Sequence, residues 1–339
     1  MTKTSNQPRD NGINQTKQLL INALASGDFV SGQQMAEQCQ LSRSAIAKHI
    51  NSLAEVGLDI YRVSGKGYKL STPLDLLNRD KINQYLPDSR QHSVDVHTII
   101  ESTNDYLLGQ VRQQITPNQV CLAEYQSAGR GRRGRQWISP FASNIYLSMY
   151  WHLEQGMSEA MGLNIVSALA ISDAINELYQ LDVQLKWPND VYINGKKLAG
   201  ILIDLEGQPL EDCHCVIGIG VNVAMPESQA QQIDQPWADL SSSVASNINR
   251  NQLAATLIKR LSTRLQQHKE QGLETMLEAW HQRDMYLDQE VKIITGSKET
   301  IGISRGINQQ GALLLLQGQK VTPIYGGEVS LRGLNATAN

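Results

Sequence analysis

No apolar run in the 339-residue chain approaches the ~20 residues needed to cross a bilayer. The opening from Met1 to Gly12 is polar and has no signal-peptide core. No membrane partner is therefore expected, and the expected location is cytoplasmic. The four cysteines, Cys39, Cys121, Cys213 and Cys215, contain no CxxC pair, which argues against a disulfide framework and against a zinc site. Cys213-His214-Cys215 invites a metal reading. In the alternating run that continues through Val216 and Ile217, however, both sulfurs fall on one face of a strand with no further ligands. No metal site is expected there or elsewhere.

The chain has little net charge, −3, but it is unevenly divided. Residues 1 to 77 carry eight Lys and Arg against six Asp and Glu, and the remainder carries 22 against 27. The front of the chain is the basic part. A hydrophobic content of 41% at this length supports two or three packed domains.

The first domain is expected over 1–77. Apolar residues from Ile13 to Ala25 form one helical stripe that ends at Gly27, and Ser31 caps a second helix running to Cys39. Ser42 caps a third, with Ala45, Ile46, Ile50 and Leu53 inward and Arg43, Ser44, Ala47, Lys48 and Asn51 on the other side. Strands at Tyr61–Val63 and Tyr68–Leu70 flank Ser64-Gly65-Lys66-Gly67, a hairpin with a basic tip. Two short helices with a tight turn and a following hairpin predict a winged helix-turn-helix. Ser42, Arg43, Ser44, Ala47, Lys48, Asn51 and Lys66 are the candidate DNA contacts. Ser71-Thr72-Pro73 through Asn78 then reads as a linker.

Residues 78–286 mix strands and helices: a strand over 94–100, a helix capped by Ser102, strands over 120–125 and 144–150, and a long apolar helix over 163–179. A hairpin over 191–205 turns at Asn194-Gly195, and amphipathic helices cover 253–267 and 273–283. The mixture predicts a helix-flanked, largely antiparallel sheet. Residues 287–339 change texture to short strands broken by glycine turns, a small barrel. The chain as a whole is α+β and multidomain.

The most informative stretch is 126–137, Gln-Ser-Ala-Gly-Arg-Gly-Arg-Arg-Gly-Arg-Gln-Trp. Gly129, Gly131 and Gly134 spell a dinucleotide fingerprint, but that fingerprint needs a helix opening behind the glycines and an acidic residue about twenty positions on. Here a strand follows instead. Without a helix dipole, Arg130, Arg132, Arg133 and Arg135 must supply the positive charge, and guanidinium groups do so with paired hydrogen bonds to phosphate or carboxylate. A solvated basic loop or a nucleic-acid patch is the plainer alternative for such a run.

Its neighbours weigh against that alternative. Lys186-Trp187-Pro188-Asn189-Asp190, Lys197-Leu198-Ala199-Gly200-Ile201-Leu202, Gly218-Ile219-Gly220-Val221-Asn222 and Glu101-Ser102-Thr103-Asn104 join the loop. In kind, order and spacing these segments resemble the biotin protein ligases, and the winged helix makes the resemblance one to the bifunctional ligase and biotin operon repressor type. Ser127, where glutamine is usual, and Val221, where isoleucine is usual, are small departures.

The resemblance implies a central domain like the class II aminoacyl-tRNA synthetases and an SH3-like C-terminal β-barrel. It also implies two reactions: biotin and ATP give biotinyl-5′-adenylate and pyrophosphate, and a lysine of a biotin carboxyl carrier protein then attacks the acyl carbon. Ser102, Thr103, Asn104 and Gln126 would hold the biotin head group. Arg130, Gly131 and Arg132 would wrap its carboxyl and the adenylate phosphate, Gly218 and Gly220 would let the strand backbone approach, and Asn222 and Trp237 would touch the adenine side. Lys197, Arg132, Lys186 and Asp190 are the catalytic candidates: fixed cations where two anions meet, with Asp190 accepting a proton or orienting Lys197. The glycine loop and residues 231–244 are candidates to order over the mixed anhydride. Mg²⁺ is expected with ATP, without a dedicated site. Partners implied are the carrier protein, operator DNA and a second copy of the chain when adenylate is bound.

Plainer readings remain for single residues: Ser102 as a helix cap, Trp187-Pro188 as packing, Trp237 as a surface anchor, the two glycines as a bulge. Two other functions compete. One is a lipoate or octanoyl ligase-type relative, and the other is a ligand-sensing regulator with no ligase activity.

Overall fold

The computed structural model describes residues 10–113, 115–154, 156–208, 211–326 and 329–333. The polar stretch 1–9 and the expected start of the last strand at Glu328 lie outside these residues. Helix α1 (Asp10–Leu24) buries Leu20, Ile21 and Leu24; α2 (Gly32–Cys39) and α3 (Arg43–Leu53) pack on it. Ser31 and Ser42 sit in extended conformation and their side chains accept the backbone N–H of Gln33 and Ala45, so both N-caps form as expected. Strands β1 (Ile60–Val63) and β2 (Gly67–Leu70) pair antiparallel as the wing.

The 71–78 segment is not a free tether. Leu77 is buried in the central core, and α4 (Arg79–Tyr85) follows at once against the long helix named below as α8. Leu77 N–H donates to Glu124, whose other oxygen takes Arg250 Nη2 at 2.6 Å; Arg250 Nη2 also reaches Asp75 O at 2.9 Å. Asn251 closes the clamp, with Oδ1 accepting Asn78 N–H at 2.7 Å and Nδ2 donating to Leu76 O at 3.1 Å.

The central domain holds β3 (Val94–His97), α5 (Thr103–Val111), β4 (Val120–Ala123), β5 (Ile145–Leu153), α6 (Leu163–Tyr179), β6 (Gln184–Lys186), β7 (Asp190–Ile193), β8 (Lys196–Gly207), β9 (Cys213–Val221), α7 (Glu227–Ala230), α8 (Arg250–Gln271) and α9 (Leu277–His281). Its seven strands lie in the order β3-β4-β5-β9-β8-β7-β6, with β3-β4 parallel and the rest antiparallel. Helices α6 and α8 pack on each other and on one face of the sheet; α5 packs on β4, β5 and β9 from the other. With both faces covered, β5 is buried almost along its whole length, so the alternation read from its sequence is not an alternation of burial. Helix α6 is likewise apolar nearly all round because it lies between sheet and helix.

The helix expected over 273–283 is broken. A 3₁₀ turn at Glu274–Met276 leads into the five residues of α9. The next residues are drawn to the sheet instead, where Leu185 N–H donates to Arg283 O and Met285 N–H to Leu185 O. Beyond them β10 (Glu290–Thr295), β11 (Lys298–Ile307), β12 (Leu313–Gln317), β13 (Lys320–Ile324) and β14 (Val329–Gly333) form an all-antiparallel sheet in the order β13-β12-β11-β10-β14. This is the SH3-like C-terminal domain, and its core is continuous with the central one.

Candidate active site and DNA-reading face

On the α5 side of the sheet, the N-terminus of α5, the 129–137 loop, the N-terminal part of β8, the end of β9 and strand β14 enclose a cavity of about 370 Å³. At one end, Ser102 caps α5 through Asp105 N–H at 3.3 Å, which places Thr103 and Asn104 in the buried first turn. Gln126 Oε1 accepts Thr103 N–H at 2.9 Å, and Ser148 Oγ lies 2.7 Å from Thr103 Oγ1 and 2.5 Å from Asn104 Oδ1. Gly218 faces this group: a Cβ there would stand 2.3 Å from Asn104 Oδ1. Any side chain at 218 would displace the asparagine.

Gly220 meets a different neighbour. A Cβ on it would come within 2.5 Å of the Trp137 indole. The tryptophan lies on β8 and β9 at the cross-strand pair Gly200 and Gly220. Its Nε1 is buried with no hydrogen-bond partner among the described residues, and the Lys197 ammonium stands 5.5 Å from its ring.

The loop folds back on itself: Gly131 N–H donates to Arg135 O at 2.7 Å and Trp137 N–H to Gly129 O at 2.9 Å, with Arg133 left-handed at φ 60°. Arg130 Nη2 bonds Asp105 Oδ1 at 2.6 Å and Asp204 Oδ2 at 2.7 Å. Arg132 reaches across to the C-terminal domain, Nη2 to Val329 O at 3.2 Å. Burial lowers the Arg132 pKa and the like charges of Arg133 and Arg135 add to this, with Asp190 opposing.

Lys197 and Lys186 converge from the hairpin. A bulge between Val191 and Tyr192 breaks the β7–β8 register, and such an irregularity re-aims the residue beside it. Lys197 Nζ lies 2.7 Å from Asp190 Oδ1. Lys186 Nζ donates to Tyr192 Oη at 3.1 Å and stands 4.9 Å from that ring. Burial pulls the Lys186 pKa down, Asp190 opposes, and Lys197, Arg332 and Arg135 push further in the same direction as burial. The cavity is therefore lined by more cations than carboxylates, Arg132 and Lys186 being partly desolvated, together with the neutral Thr103, Asn104 and Gln126. That is a cradle for an anion beside a site for a neutral polar head.

Asn222 and Trp237 line an adjoining cavity of about 220 Å³ that shares Arg135, Gln136, Trp137 and Lys197 with the first. Asn222 Nδ2 donates to Ala238 O at 3.1 Å, so its amide nitrogen pins the 236–240 strap. Lys197 N–H donates to Pro236 O and accepts Ala238 N–H at its carbonyl, which fixes Trp237 beside the lysine. All the expected site residues thus fall on the two adjoining cavities. Sequence reasoning missed Ser148, Trp137, Asp105, Asp204, Tyr286 and the β14 wall with Arg332. Trp137 carried a signal, ending the glycine-arginine run. The C-terminal residues carried none, since only the domain packing brings them here.

In the first domain Ser42, Arg43, Ser44, Lys48 and Asn51 are exposed on one side of α3 and Ala47 is half-buried. Lys66, at the wing tip, stands 5.7 Å from the ring of Phe29, and Lys69 5.6 Å from it. The exposed residues of α3 are polar and basic, and the wing adds Lys66 and Lys69, a combination suited to a DNA groove.

Three family models match the chain: an HTH domain over 16–69, the Biotin/lipoate A/B protein ligase family over 96–222, and the Biotin protein ligase C terminal domain over 286–332. The fold and site are thus those of a biotin ligase catalytic core with an N-terminal helix-turn-helix. Proteins described as bifunctional ligase/repressor BirA from Salmonella typhimurium and Escherichia coli are each 45% identical over 92% of this chain and 96% of their own. A solved structure described as biotin protein ligase from Aquifex aeolicus in complex with biotin and ATP superposes with a TM-score of 0.61 at 27% identity, covering 71% of this chain and 99% of that one. The chain belongs to the family of bifunctional biotin ligase/repressors. It is an ATP-dependent biotin protein ligase that carries a DNA-binding repressor module. The lipoate-type and regulator-only alternatives are set aside by the full-length match and the matching C-terminal domain.

Proposed function

We propose that the larger cavity brings biotin and ATP together head to head, with the biotin rings against Ser102, Thr103, Asn104, Gln126 and Gly218 and the carboxylate beside Lys197, Arg130, Gly131 and Arg132. The observation that carries this reading is that Lys197, Lys186, Arg132 and Asp190 line one cavity together with the neutral, polar Ser102, Thr103, Asn104 and Gln126. A biotin carboxylate oxygen attacks the α-phosphorus, the bond to the β-phosphate oxygen breaks, and pyrophosphate leaves. Lys197 stabilises charge on both anions as they meet. In the second step a carrier lysine amine attacks the acyl carbon, AMP departs with the bonding pair, and the amine proton passes to an acceptor, for which Asp190 is the nearest carboxylate to Lys197. Gly220 and Trp137 shape the passage to the adjoining cavity, where Asn222 and Trp237 receive the adenine.

Mg²⁺ accompanies ATP on its phosphates. Among the described residues no group of three or more His, Cys, Asp or Glu is arranged to hold a metal. The domains divide at about 1–77, 78–286 and 287–339. The partners are a biotin carboxyl carrier protein, operator DNA read by Ser42, Arg43, Ser44, Ala47, Lys48, Asn51 and Lys66, and a second copy of the chain once biotinyl-5′-adenylate is bound. No helix among the described residues is long and apolar enough to cross a membrane, and the cytoplasm is the proposed location. The test is incubation with ATP, labelled biotin and a purified carrier domain. Label transferred to the carrier lysine with AMP and pyrophosphate released supports the reading, and labelled adenylate that never transfers overturns its second half.

A further inference from the structure

Two carboxylates hold a lining arginine of a site built for anions without lining the cavity themselves, and neither belongs to the cation cradle around Asp190. Asp105 lies on the first turn of α5 and Asp204 on β8, and both accept from the same nitrogen of Arg130, at 2.6 and 2.7 Å. Asp204 Oδ2 also accepts Asn104 Nδ2 at 2.8 Å, and Asn104 is the residue against Gly218. A chain of polar contacts therefore runs from Ser148 through Asn104 and Asp204 to the glycine loop. Beside a phosphate, negative charge costs affinity, so the carboxylates must contribute something else. What they contact is the loop's first arginine.

We propose that Asp105 and Asp204 are positioning residues for the ligation: together they latch Arg130, hold the glycine loop across the pocket mouth, and so set how long biotinyl-5′-adenylate is kept between its formation and its use. This rests on the reading of the cavity as the biotin and ATP site. A solitary exposed ion pair contributes little. Here two elements converge on one guanidinium nitrogen, and the Asp204 side chain is only 22% exposed. Burial works against the Arg130 charge, yet Asp204 and Asp105 more than offset it, and the arginine pKa is held above its ordinary value. Because Asn104 shares Asp204, a head group bonded to Asn104 stiffens the latch, and the latch in turn orders the loop over that head group.

The latch and a pure charge effect have opposite signs. If the two aspartates acted only as charges, neutralising either would tighten an anionic ligand. If they hold the loop, neutralising either releases it. The variants are Asp204→Asn, Asp105→Asn and both together, in the full-length chain, with biotin and ATP as probes. Release of labelled adenylate from the purified complex should accelerate roughly fivefold to tenfold, the loss expected for one ordinary, partly exposed hydrogen bond. KM for biotin should rise by a similar factor while kcat for adenylate formation moves less than about twofold, since the lost contact holds the bound state and does not touch the reacting atoms. Free lysines on a bystander protein should be labelled more, and Asp204→Glu should restore slow release. In an Arg130→Met background Asp105→Asn should add nothing, because Arg130 is its side-chain partner. Slower or unchanged release from both single variants overturns the latch, as does full additivity with Arg130→Met. Should Asp204→Asn fail to fold, Asp105→Asn on the exposed helix surface carries the test. Failure of the wild-type chain to make adenylate at all would instead sink the reading of the cavity.

Discussion

Lys197 Nζ lies 2.7 Å from Asp190 Oδ1, with the two side chains 15% and 28% exposed. As a pair it is better shielded than the Arg130 pairs with Asp105 and Asp204, and a bulge between Val191 and Tyr192 breaks the register of the hairpin that carries it. Lys197→Ala should leave the fold intact and lower the rate of adenylate formation by about 10² to 10³, which is the ~3 to 4 kcal/mol typical of one preorganised electrostatic contact. Pyrophosphate release at saturating biotin and ATP is the measurement. A well-folded variant with unchanged rate would remove Lys197 from the chemistry.

The DNA-reading face is separable from that chemistry. Arg43, Lys48 and Asn51 project from α3, whose buried side packs into the N-terminal core and not into the cavity. Arg43→Ala, Lys48→Ala or Asn51→Ala should each weaken operator binding by roughly 1–3 kcal/mol if the residue meets a base edge. A phosphate contact would instead reduce the salt dependence of binding by about one ion. Fluorescence anisotropy with operator DNA at several salt concentrations distinguishes the two, and carrier labelling should not change. A drop in ligase rate would show that this domain supports the active site as well.

Glu124 and Arg250 join the domains. The two side chains are 3% and 5% exposed, and between them they bind backbone groups of Asp75, Leu77 and Asn144. Removing one partner leaves a buried charge uncompensated, and Arg250→Ala or Glu124→Ala should each cost about 3–5 kcal/mol of stability. Urea unfolding reads this directly. The double variant should cost less than the sum of the two, because the orphaned charge is then gone.

The candidate site was legible in the sequence wherever charge is concentrated in a short run. Arg130, Arg132, Lys186, Asp190 and Lys197 stand in such runs, and the structure brings them to one cavity. Ser31, Ser42 and Ser102 announced their helices because capping is local. Contacts that depend on the closed fold left no such mark. Trp137 stood out as the end of the glycine-arginine run, but its seat did not, because only the pairing of Gly200 with Gly220 makes room for its indole. Arg332 and Tyr286 reach the cavity only because the C-terminal sheet packs on the central one. The helix expected over 273–283 is cut short for a related reason: its periodicity is helical, but Arg283 O accepts the Leu185 N–H and Met285 N–H donates to Leu185 O, which draws the chain to the edge of the sheet. The linker over 71–78 looked free because Glu124 and Arg250, which clamp it, are far away in sequence.

The two halves of the chain meet in a last expectation. One winged helix covers a single half-site, and tight specific binding ordinarily needs two related by a dyad. The adenylate is the natural switch if it binds the dimer better than the monomer, and it must then strengthen dimerisation by the same factor that dimerisation strengthens its binding. Sedimentation of the chain alone, with biotin, and with biotin plus ATP should show the dimer rising most in the third sample, with operator affinity rising alongside. Adding carrier protein to the third sample should return it to monomer, because transfer consumes the ligand that holds the dimer. The expected outcome is a sensor of unmodified carrier: while carrier is abundant the chain should work as a monomeric ligase, and when carrier runs out the loaded dimer should occupy DNA. Equal dimerisation in all three samples would leave the ligase untouched and remove the coupling between ligand and DNA.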